Sequence, residues 1–186
     1  MKPSLALAAL LCLTLSPAVH AETYVQSPAQ PAVIQFVYQQ MGVKMDGQFK
    51  RAATRLSFDP ARPASAQATI EVDLAGIDLG SREADQEAAG KPWFDSRSFP
   101  TARFVSSGVK PLGGSRYEVT GTLSLKGRSR ELVVPATFTG QGANGVFEGS
   151  FTLRRGDFGI GEGAWSKFDI VANDVQVRFR IPATRK

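Results

Sequence analysis

Apolar and polar side chains alternate along most of this chain, in short runs that begin near Val33 and continue to Ile181. Successive side chains of a β-strand point to opposite faces, so this period of two predicts antiparallel strands with one apolar and one solvated face. Turn pairs separate the runs, at Asp46-Gly47, Asp59-Pro60, Gly113-Gly114, Lys126-Gly127 and Asn144-Gly145. Eight or so short strands in a single domain predict a sandwich or a closed barrel.

One segment, residues 81–90, breaks the alternation. It opens with Ser81, which suits a helix N-cap, has acidic residues near its start, and ends at Gly90. These features predict a short helix inserted between strands. Its only apolar side chains are alanines, at Ala84, Ala88 and Ala89. We therefore expect a surface plug or lid, not a structural pillar of the fold.

The N-terminus has the three parts of a secretory signal: a basic start at Lys2, an apolar run over residues 5–15, and a small-residue site at Val19-His20-Ala21. We expect cleavage after Ala21, so that residues 1–21 are the signal peptide and residues 22–186 the exported domain. A retained membrane anchor is the alternative. In a Gram-negative source the mature protein would be periplasmic.

The predicted signal peptide contains Cys12 and His20, which are the only cysteine and the only histidine of the chain. The mature domain would therefore have no disulfide, no thiol nucleophile and no imidazole. This removes most of the usual catalytic and metal-binding chemistry, and we predict no cofactor and no metal. About 165 residues remain, which is enough for one domain with a substantial core.

The chain carries a formal net charge of +5, but its basic residues are spread along the sequence and form no block. We interpret them mainly as solvated outer faces of the strands. Nucleic-acid binding is not expected in an exported protein, whereas a weak, transient attraction to an anionic membrane surface or a membrane protein is a second interpretation. The sequence leaves the oligomeric state open, a homodimer included.

The segment between the predicted helix and the next strand has an unusual run of aromatic residues and prolines. It reads Trp93-Phe94-Asp95, then Phe99-Pro100, then Phe104. This run resembles the YceI-like family of exported lipid-binding proteins, in which a Trp-Phe-Asp or Phe-Phe-Asp stretch leads to Phe-Pro and to an aromatic residue on the next strand. Further similar segments occur in order at residues 47–49, 56–60, 117–127, 155–161 and 174–175, so the resemblance extends from about residue 24 to residue 182.

The resemblance implies an all-β fold, an extended lipocalin-like antiparallel barrel of eight strands that carries the helical insertion near residues 81–90. It also implies an apolar interior that holds a long isoprenoid or similar amphiphilic chain. The chain departs from the family at the first strand, where relatives often have a Ser and a His. Here those positions are Pro31-Ala32 and Tyr38-Gln39-Gln40.

Apolar residues of the alternating runs are candidates for the wall of such an interior, although each could equally be ordinary core. These candidates are Phe36, Tyr38, Phe49, Phe58, Ile70, Phe104, Leu123, Phe138, Phe151 and Phe179. Trp93, Phe94 and Trp165 suit the mouth, because indole and phenyl rings tolerate a position that is apolar on one side and wet on the other. As an alternative they simply plug one end of the barrel.

The corner at residues 155–161 contributes Arg155 and Phe158 as further candidates. The favoured interpretation of Arg155 with Asp157 is a structural ion pair that fixes the corner. In the alternative, Arg155 receives a ligand headgroup through its planar guanidinium. The glycine-rich stretch that follows lacks the Lys-Ser/Thr of a phosphate loop and is interpreted as a flexible connection.

Three functions are compatible with these patterns. The first is a binding and carrier protein for a polyisoprenoid, an isoprenoid quinone or a fatty-acyl lipid. The second is an adaptor with a filled barrel that acts through its outer surface. The third, and least favoured, is a lipid-modifying enzyme, which without His or Cys would depend on Tyr38, Asp157, Glu162 or Lys167. We predict a binding protein and not an enzyme.

Overall fold

The structure is a computed structural model that describes residues 23–186. The predicted signal peptide, with Cys12 and His20, lies outside the described residues. The described chain forms eleven strand segments and one α-helix. The strands are β1 Tyr24–Gln26, β2 Val33–Gln40, β3 Val43–Phe49, β4 Ala52–Phe58, β5 Gln67–Asp73, β6 Ile77–Asp78, β7 Thr101–Gly113, β8 Arg116–Leu125, β9 Arg128–Gln141, β10 Asn144–Arg154 and β11 Asp174–Arg185. The helix is α1 Arg82–Ala89, and short 3₁₀ turns lie at Pro63–Ser65, Leu74–Gly76, Arg155–Phe158 and Gly163–Trp165.

Eight of these segments close into an antiparallel barrel. The ring runs β1–β4–β5–β7–β8–β9–β10–β11, and it closes because β1 pairs with β4 on one side and with β11 on the other. Closure leaves no long free edge along the ring, which removes the liability of an open sheet. The closed eight-stranded barrel implied by the resemblance is therefore confirmed. Closure also excludes the sandwich, which was the other architecture that the alternation of side chains allowed.

Three of the eight barrel strands are interrupted. The segments β2, β3 and β6 continue β1, β4 and β5 respectively, because β2 pairs with β11 and β3, and β3 pairs with β6. Two of the interruptions lie side by side, where the Lys50 N–H donates to the Gly76 carbonyl at 2.9 Å and the Asp73 N–H donates to the Arg51 carbonyl at 3.1 Å. Two neighbouring strands of the wall are thus interrupted at the same level.

The two ends of the barrel differ. At the end we call the mouth lie the β2–β3 turn, α1, the β8–β9 turn and residues 155–173. At the opposite, closed end, Tyr24, Phe58, Phe138 and Phe147 form an aromatic cluster with ring centroids 4.6–5.0 Å apart along the contacts Tyr24–Phe138, Phe58–Phe138, Phe58–Phe147 and Phe138–Phe147. Aromatic rings at these separations and tilts attract one another beyond simple burial. These rings occupy most of this end of the interior, and only a small apolar cavity of about 70 Å³ remains beside Phe58 and Phe147.

The predicted helix is confirmed. It spans Arg82–Ala89, the Ser81 hydroxyl accepts a hydrogen bond from the Ala84 N–H at 3.2 Å, and Gly90 follows the last turn. Ala88 is buried against Phe36 and Ile77, so the helix packs beside β6 at the mouth. The expectation of a lid agrees with this position.

Two of the predicted turns were wrong. The β2–β3 turn is Met41-Gly42, with positive φ at both residues, whereas Asp46-Gly47 lies inside β3 with Gly47 opposite Phe36. The pair Asn144-Gly145 likewise opens β10. The local signal misled because glycine permits close approach of a neighbouring group as readily as it permits a turn.

The aromatic cluster generates a stability prediction. Phe58 is 2% exposed and its ring contacts three others, so Phe58→Ala should lower the free energy of unfolding by about 3–5 kcal/mol. Urea denaturation measures this. Leu112→Ala is the control: its side chain is 45% exposed near the same end, and its cost should stay within about 0.5 kcal/mol. Equal losses in the two variants would contradict the filled closed end.

Candidate ligand cavity

The interior of the barrel is hollow toward the mouth. A cavity of about 350 Å³ lies there, at the low end of the range of about 300–1,000 Å³ typical of small-molecule sites. Its wall is almost wholly apolar; the polar residues on it are Tyr38, Gln40, Glu87 and Arg155. Such a site can hold a slender hydrocarbon chain, and its few polar groups can address only a small headgroup.

Phenyl rings lie flat against the cavity wall because glycines stand opposite them. Phe36 pairs with Gly47 across β2 and β3, and Phe179 pairs with Gly149 across β11 and β10. A Cβ at Gly47 would meet the ring of Phe36, and one at Gly149 would meet the ring of Phe179 and the carbonyl of Pro135. A missing side chain on one strand therefore accommodates the ring of the next, and the middle of the barrel stays open.

Two loops close over the mouth beside α1. Trp93 and Trp165 lie with ring centroids 5.3 Å apart. The Pro92 carbonyl accepts hydrogen bonds from the N–H groups of Gly161 and Glu162, both at 2.8 Å, which joins the loop after α1 to the loop before β11. The two loops that cover the cavity are thus hydrogen-bonded directly to each other.

Lys126 ties the same loops to the β8–β9 turn. Its side chain is 8% exposed, and its ammonium donates to the Gly159 carbonyl at 2.7 Å. Lys126 Nζ also lies 3.5 Å from Glu162 Oε2, and Arg128 Nη2 lies 3.4 Å from Oε1 of the same carboxylate. In the sequence, Lys126 carries only the signal of a turn, because its partners come from a loop more than thirty residues away.

Polar groups at the cavity are few and differ in their state. The indole Nε1 of Trp93 is buried and has no hydrogen-bond partner among residues 23–186. An unpaired buried donor costs free energy until an acceptor arrives. Burial raises the pKa of the Tyr38 hydroxyl above its ordinary value, so this group remains a neutral donor throughout the physiological range.

Arg155 organises the corner at residues 155–173. It is 2% exposed, and its guanidinium donates to six backbone carbonyls: those of Ala172 at 3.1 Å, Ile160 at 2.7 Å, Gly161 at 3.3 Å, Trp165 at 2.9 Å, Lys167 at 3.2 Å and Val171 at 2.8 Å. The cation also lies 5.3 Å from the ring centroid of Trp93 and 4.9 Å from that of Phe168. Desolvation by burial lowers the pKa of Arg155, and the surrounding carbonyl and ring faces supply the negative potential that its charge requires.

The predicted Arg155–Asp157 ion pair was wrong. Asp157 is exposed, and the hydrogen bonds of the Arg155 guanidinium all go to carbonyls of residues 160–172. A planar fork with five donors suits such a cage better than a single carboxylate does. Because its donors are engaged by the backbone, Arg155 is a structural residue that also borders the cavity.

The structure brings most of the predicted site residues together. Twelve lie on the wall of the cavity: Phe36, Tyr38, Phe49, Ile70, Trp93, Phe94, Phe104, Leu123, Phe151, Arg155, Trp165 and Phe179. Three lie elsewhere. Phe58 and Phe138 belong to the aromatic cluster at the closed end, and Phe158 is packed in the core beneath the corner with Leu153 and Ile160. Phe138 and Phe158 are packed in hydrophobic clusters, and Phe58 also borders the small cavity of about 70 Å³ at the closed end.

The candidate acids and bases are not assembled. Of Tyr38, Asp157, Glu162 and Lys167, only Tyr38 lies on the cavity wall, while Glu162 pairs with Lys126 and Arg128. Among residues 23–186, no cluster of three or more His, Cys, Asp or Glu side chains could hold a metal ion. Over the same residues, no helix combines the length and the apolar character needed to cross a membrane.

Comparison with known proteins places this architecture. The model of the YceI-like domain matches residues 24–183. A UPF0312 protein of Pseudomonas syringae pv. tomato is 33% identical over 189 residues, covering 95% of this chain and 98% of the relative. The crystal structure of Burkholderia cenocepacia BcnA is 39% identical with a TM-score of 0.80, covering 82% of this chain and 96% of that one.

A more distant structure shares the fold alone. It is described as a polyisoprenoid binding domain from Saccharophagus degradans implicated in plant cell wall breakdown. Its TM-score is 0.68 at 14% identity, and the match covers 90% of this chain and all of that domain. The barrel is therefore preserved where few residues are shared.

The carbonyl cage generates a prediction at Arg155. Lysine has three donors on a single nitrogen and cannot reach six carbonyls, so Arg155→Lys should lower the free energy of unfolding by about 3 kcal/mol and expose residues 156–171 to limited proteolysis. Arg154→Lys is the matched control, since Arg154 is exposed and its ion pair with Asp174 is 3.9 Å long. A large loss in Asp157→Asn would restore the ion-pair interpretation.

The glycine positions generate another prediction. Gly47→Ala should push the Phe36 ring toward the middle of the barrel, shrink the cavity and cost about 1–3 kcal/mol of stability, because a well-packed wall resists an added methyl group. Gly108→Ala is the control, since a Cβ there meets nothing within 4 Å. Denaturation and a crystal structure of each variant test this. A Phe36 ring that stays in place in Gly47→Ala would contradict the close packing of this part of the wall.

Proposed function

Since this chain belongs to the YceI-like domain family, we propose that it is a binding and carrier protein that holds one long, slender amphiphilic lipid inside its barrel. The candidate ligands are a polyisoprenoid, an isoprenoid quinone or a fatty-acyl compound. The observation that carries this proposal is the hollow, apolar cavity at the mouth of a barrel whose other end is filled.

The energetics of the cavity favour a hydrocarbon chain. Transfer of each methylene from water to an apolar environment contributes about 0.8 kcal/mol, so a prenyl or acyl chain needs few polar contacts to bind. A short or strongly polar molecule would gain little from a wall with four polar residues. The filled closed end blocks passage through the barrel, so we propose that the lipid enters and leaves through the mouth.

The polar groups near the mouth suit an oxygen-bearing headgroup. Trp93 Nε1 is a buried donor without a partner, and Tyr38 presents a hydroxyl that burial keeps neutral. A quinone carbonyl or a hydroxyl oxygen would satisfy them. Polyisoprenoids are the first class to test, because the domain from Saccharophagus degradans that shares this fold is described as binding them.

We propose that the protein is exported and that it binds its lipid without chemically converting it. The signal pattern at residues 1–21 supports a periplasmic site of action in a Gram-negative source. Binding without chemistry is supported by the placement of the candidate acids and bases, three of which lie away from the cavity wall. A carrier needs only burial and release, and the cavity supplies the first.

The direct test is native mass spectrometry with lipid extraction, on protein purified without detergent from the periplasm of the expressing cell. A co-purifying mass that matches a prenyl or acyl lipid is the expected result. A fully folded sample that is empty, and that also fails to bind added polyprenol, would contradict the proposal.

A pair of neighbouring substitutions locates the ligand. Phe151→Asp places a carboxylate on the cavity wall and should reduce lipid uptake at least about a hundredfold, because a buried charge has no partner there. Ser150→Asp puts the same carboxylate one residue away, on the exposed outer face, and should leave uptake unchanged. Phe151→Trp, which fills the cavity without adding charge, should also reduce uptake. Unchanged uptake by folded Phe151→Trp would remove the ligand from this cavity.

A further inference from the structure

Five apolar side chains are exposed together around one side of the mouth. Met41, Val43 and Met45 come from the β2–β3 hairpin and are 72%, 61% and 38% exposed; Phe168 and Ile170 come from the loop before β11 and are 48% and 40% exposed. We call these five residues the apolar lip. Water-exposed apolar groups that lie side by side mark an interaction surface more often than single exposed ones do.

The lip is a built structure, not two independent loops. The pairing of β2 with β11 stops at Val37, and the hairpin projects beyond it. The tip is then fastened to the second loop: the Met41 N–H donates to the Ile170 carbonyl at 2.7 Å, and the Ala172 N–H donates to the Gln39 carbonyl at 2.9 Å. The bridge between Gln40 and Val171 sets Met41 beside Ile170, while Val43 and Met45 share the other face of the hairpin with Gln40. The apolar side chains therefore lie on both faces of one projecting edge.

The turn at the tip departs from ordinary turn chemistry. Met41 has φ +47° and Gly42 has φ +81°, a combination for which Asn, Asp or Gly is the usual first residue. A methionine in this position costs conformational energy and gains no burial, since it is the most exposed large apolar residue described. Local rules are broken in this way mostly at functional sites.

The lip continues the wall of the cavity. Tyr38 pairs with Met45 and Gln40 pairs with Val43, so the side chains of Met45 and Val43 share a face with two residues that line the cavity. A lipid that moves out through the mouth would therefore pass along an apolar surface. The exposed face and the cavity form one path.

We propose that the apolar lip inserts into the surface of a lipid bilayer and docks the mouth of the barrel against it. The inference takes its purpose from the proposed function, because a carrier must meet the membrane that supplies or receives its lipid. Its evidence, however, is the lip itself. A second copy of the chain suits the lip less well, because five side chains are few against the 20–30 residues a side of a standard protein interface.

Charge sets the expected character of the docking. The full chain has a net charge of +5, and 21 basic against 17 acidic side chains leave +4 once Lys2 is removed with the predicted signal peptide. This excess favours approach to an anionic surface. Next to the lip, however, Lys44 and Lys167 are matched in number by Asp46 and Asp169, all of them exposed. Insertion of apolar side chains, not ion pairing, should therefore hold the protein once it has docked, so salt should weaken the binding only in part.

Vesicle flotation tests the docking. Wild-type protein should float with vesicles of phosphatidylethanolamine and phosphatidylglycerol, and the double variant Met41→Ser with Ile170→Ser, whose two side chains lie off the cavity wall, should partition at least about tenfold more weakly. The matched control is Leu112→Ser with Val133→Ser. These residues are 45% and 54% exposed, away from the mouth, and the control should float like the wild type. Equal flotation of the wild type and the lip variant would overturn the proposal, as would a wild type that does not float.

A parallel assay separates docking from ligand binding. Uptake of a fluorescent polyprenol analogue diluted from ethanol, without vesicles, should be the same in the wild type and the lip variant. A lip variant that loses uptake as well would show that the substitutions damage the cavity, and would overturn a separate docking surface. Wild-type flotation without any uptake would contradict the carrier function while leaving the docking intact. A change in sedimenting mass in the lip variant would instead assign the lip to contact between copies.

Discussion

An eight-stranded barrel has room inside for its own side chains or for one slender ligand, but not for both along its whole length. This constraint governs the distribution of residues along the barrel of this chain. At the closed end, aromatic rings meet in the middle and leave only a small cavity of about 70 Å³. Toward the mouth the rings of Phe36 and Phe179 pack over Gly47 and Gly149, and a cavity of about 350 Å³ remains between the strands. The closed end thus contributes packing that stabilises the fold, and the level near the mouth contributes the space for a ligand.

The mouth presents a different physical problem, because loops rather than strands must form its walls. The Arg155 guanidinium stabilises these loops by donating hydrogen bonds to six carbonyls of residues 160–172. These carbonyls are not paired in the sheet. Within the described part of the chain this charge interacts with carbonyl dipoles and two aromatic rings, and it forms no ion pair. Lys126 then joins this corner to the β8–β9 turn. Hydrogen bonds from Arg155 and Lys126 thus hold the loops around the cavity in place above the strands.

Local signals predicted the parts of the fold that local physics determines. Alternation predicted the strands, and the capping pattern from Ser81 to Gly90 predicted the helix, because each depends on neighbours in sequence. The role of Phe58 could not be separated from that of Phe36 in the same way. Both are phenylalanines on inward faces, and they differ only in level along the barrel and in the residue that the register places opposite. Arg155 was misinterpreted for a related reason: backbone carbonyls carry no residue type, so a cage built from them leaves no motif in the sequence.

Both tryptophans of the chain, Trp93 and Trp165, lie together at the mouth with their rings 5.3 Å apart. The intrinsic indole emission of the folded protein therefore comes from the mouth alone. Events there can be followed by optical spectroscopy without any label, whereas changes around Phe58 and Phe138 are silent in that signal. The arrangement that closes the cavity therefore also gives the entrance of the barrel an indole signal of its own.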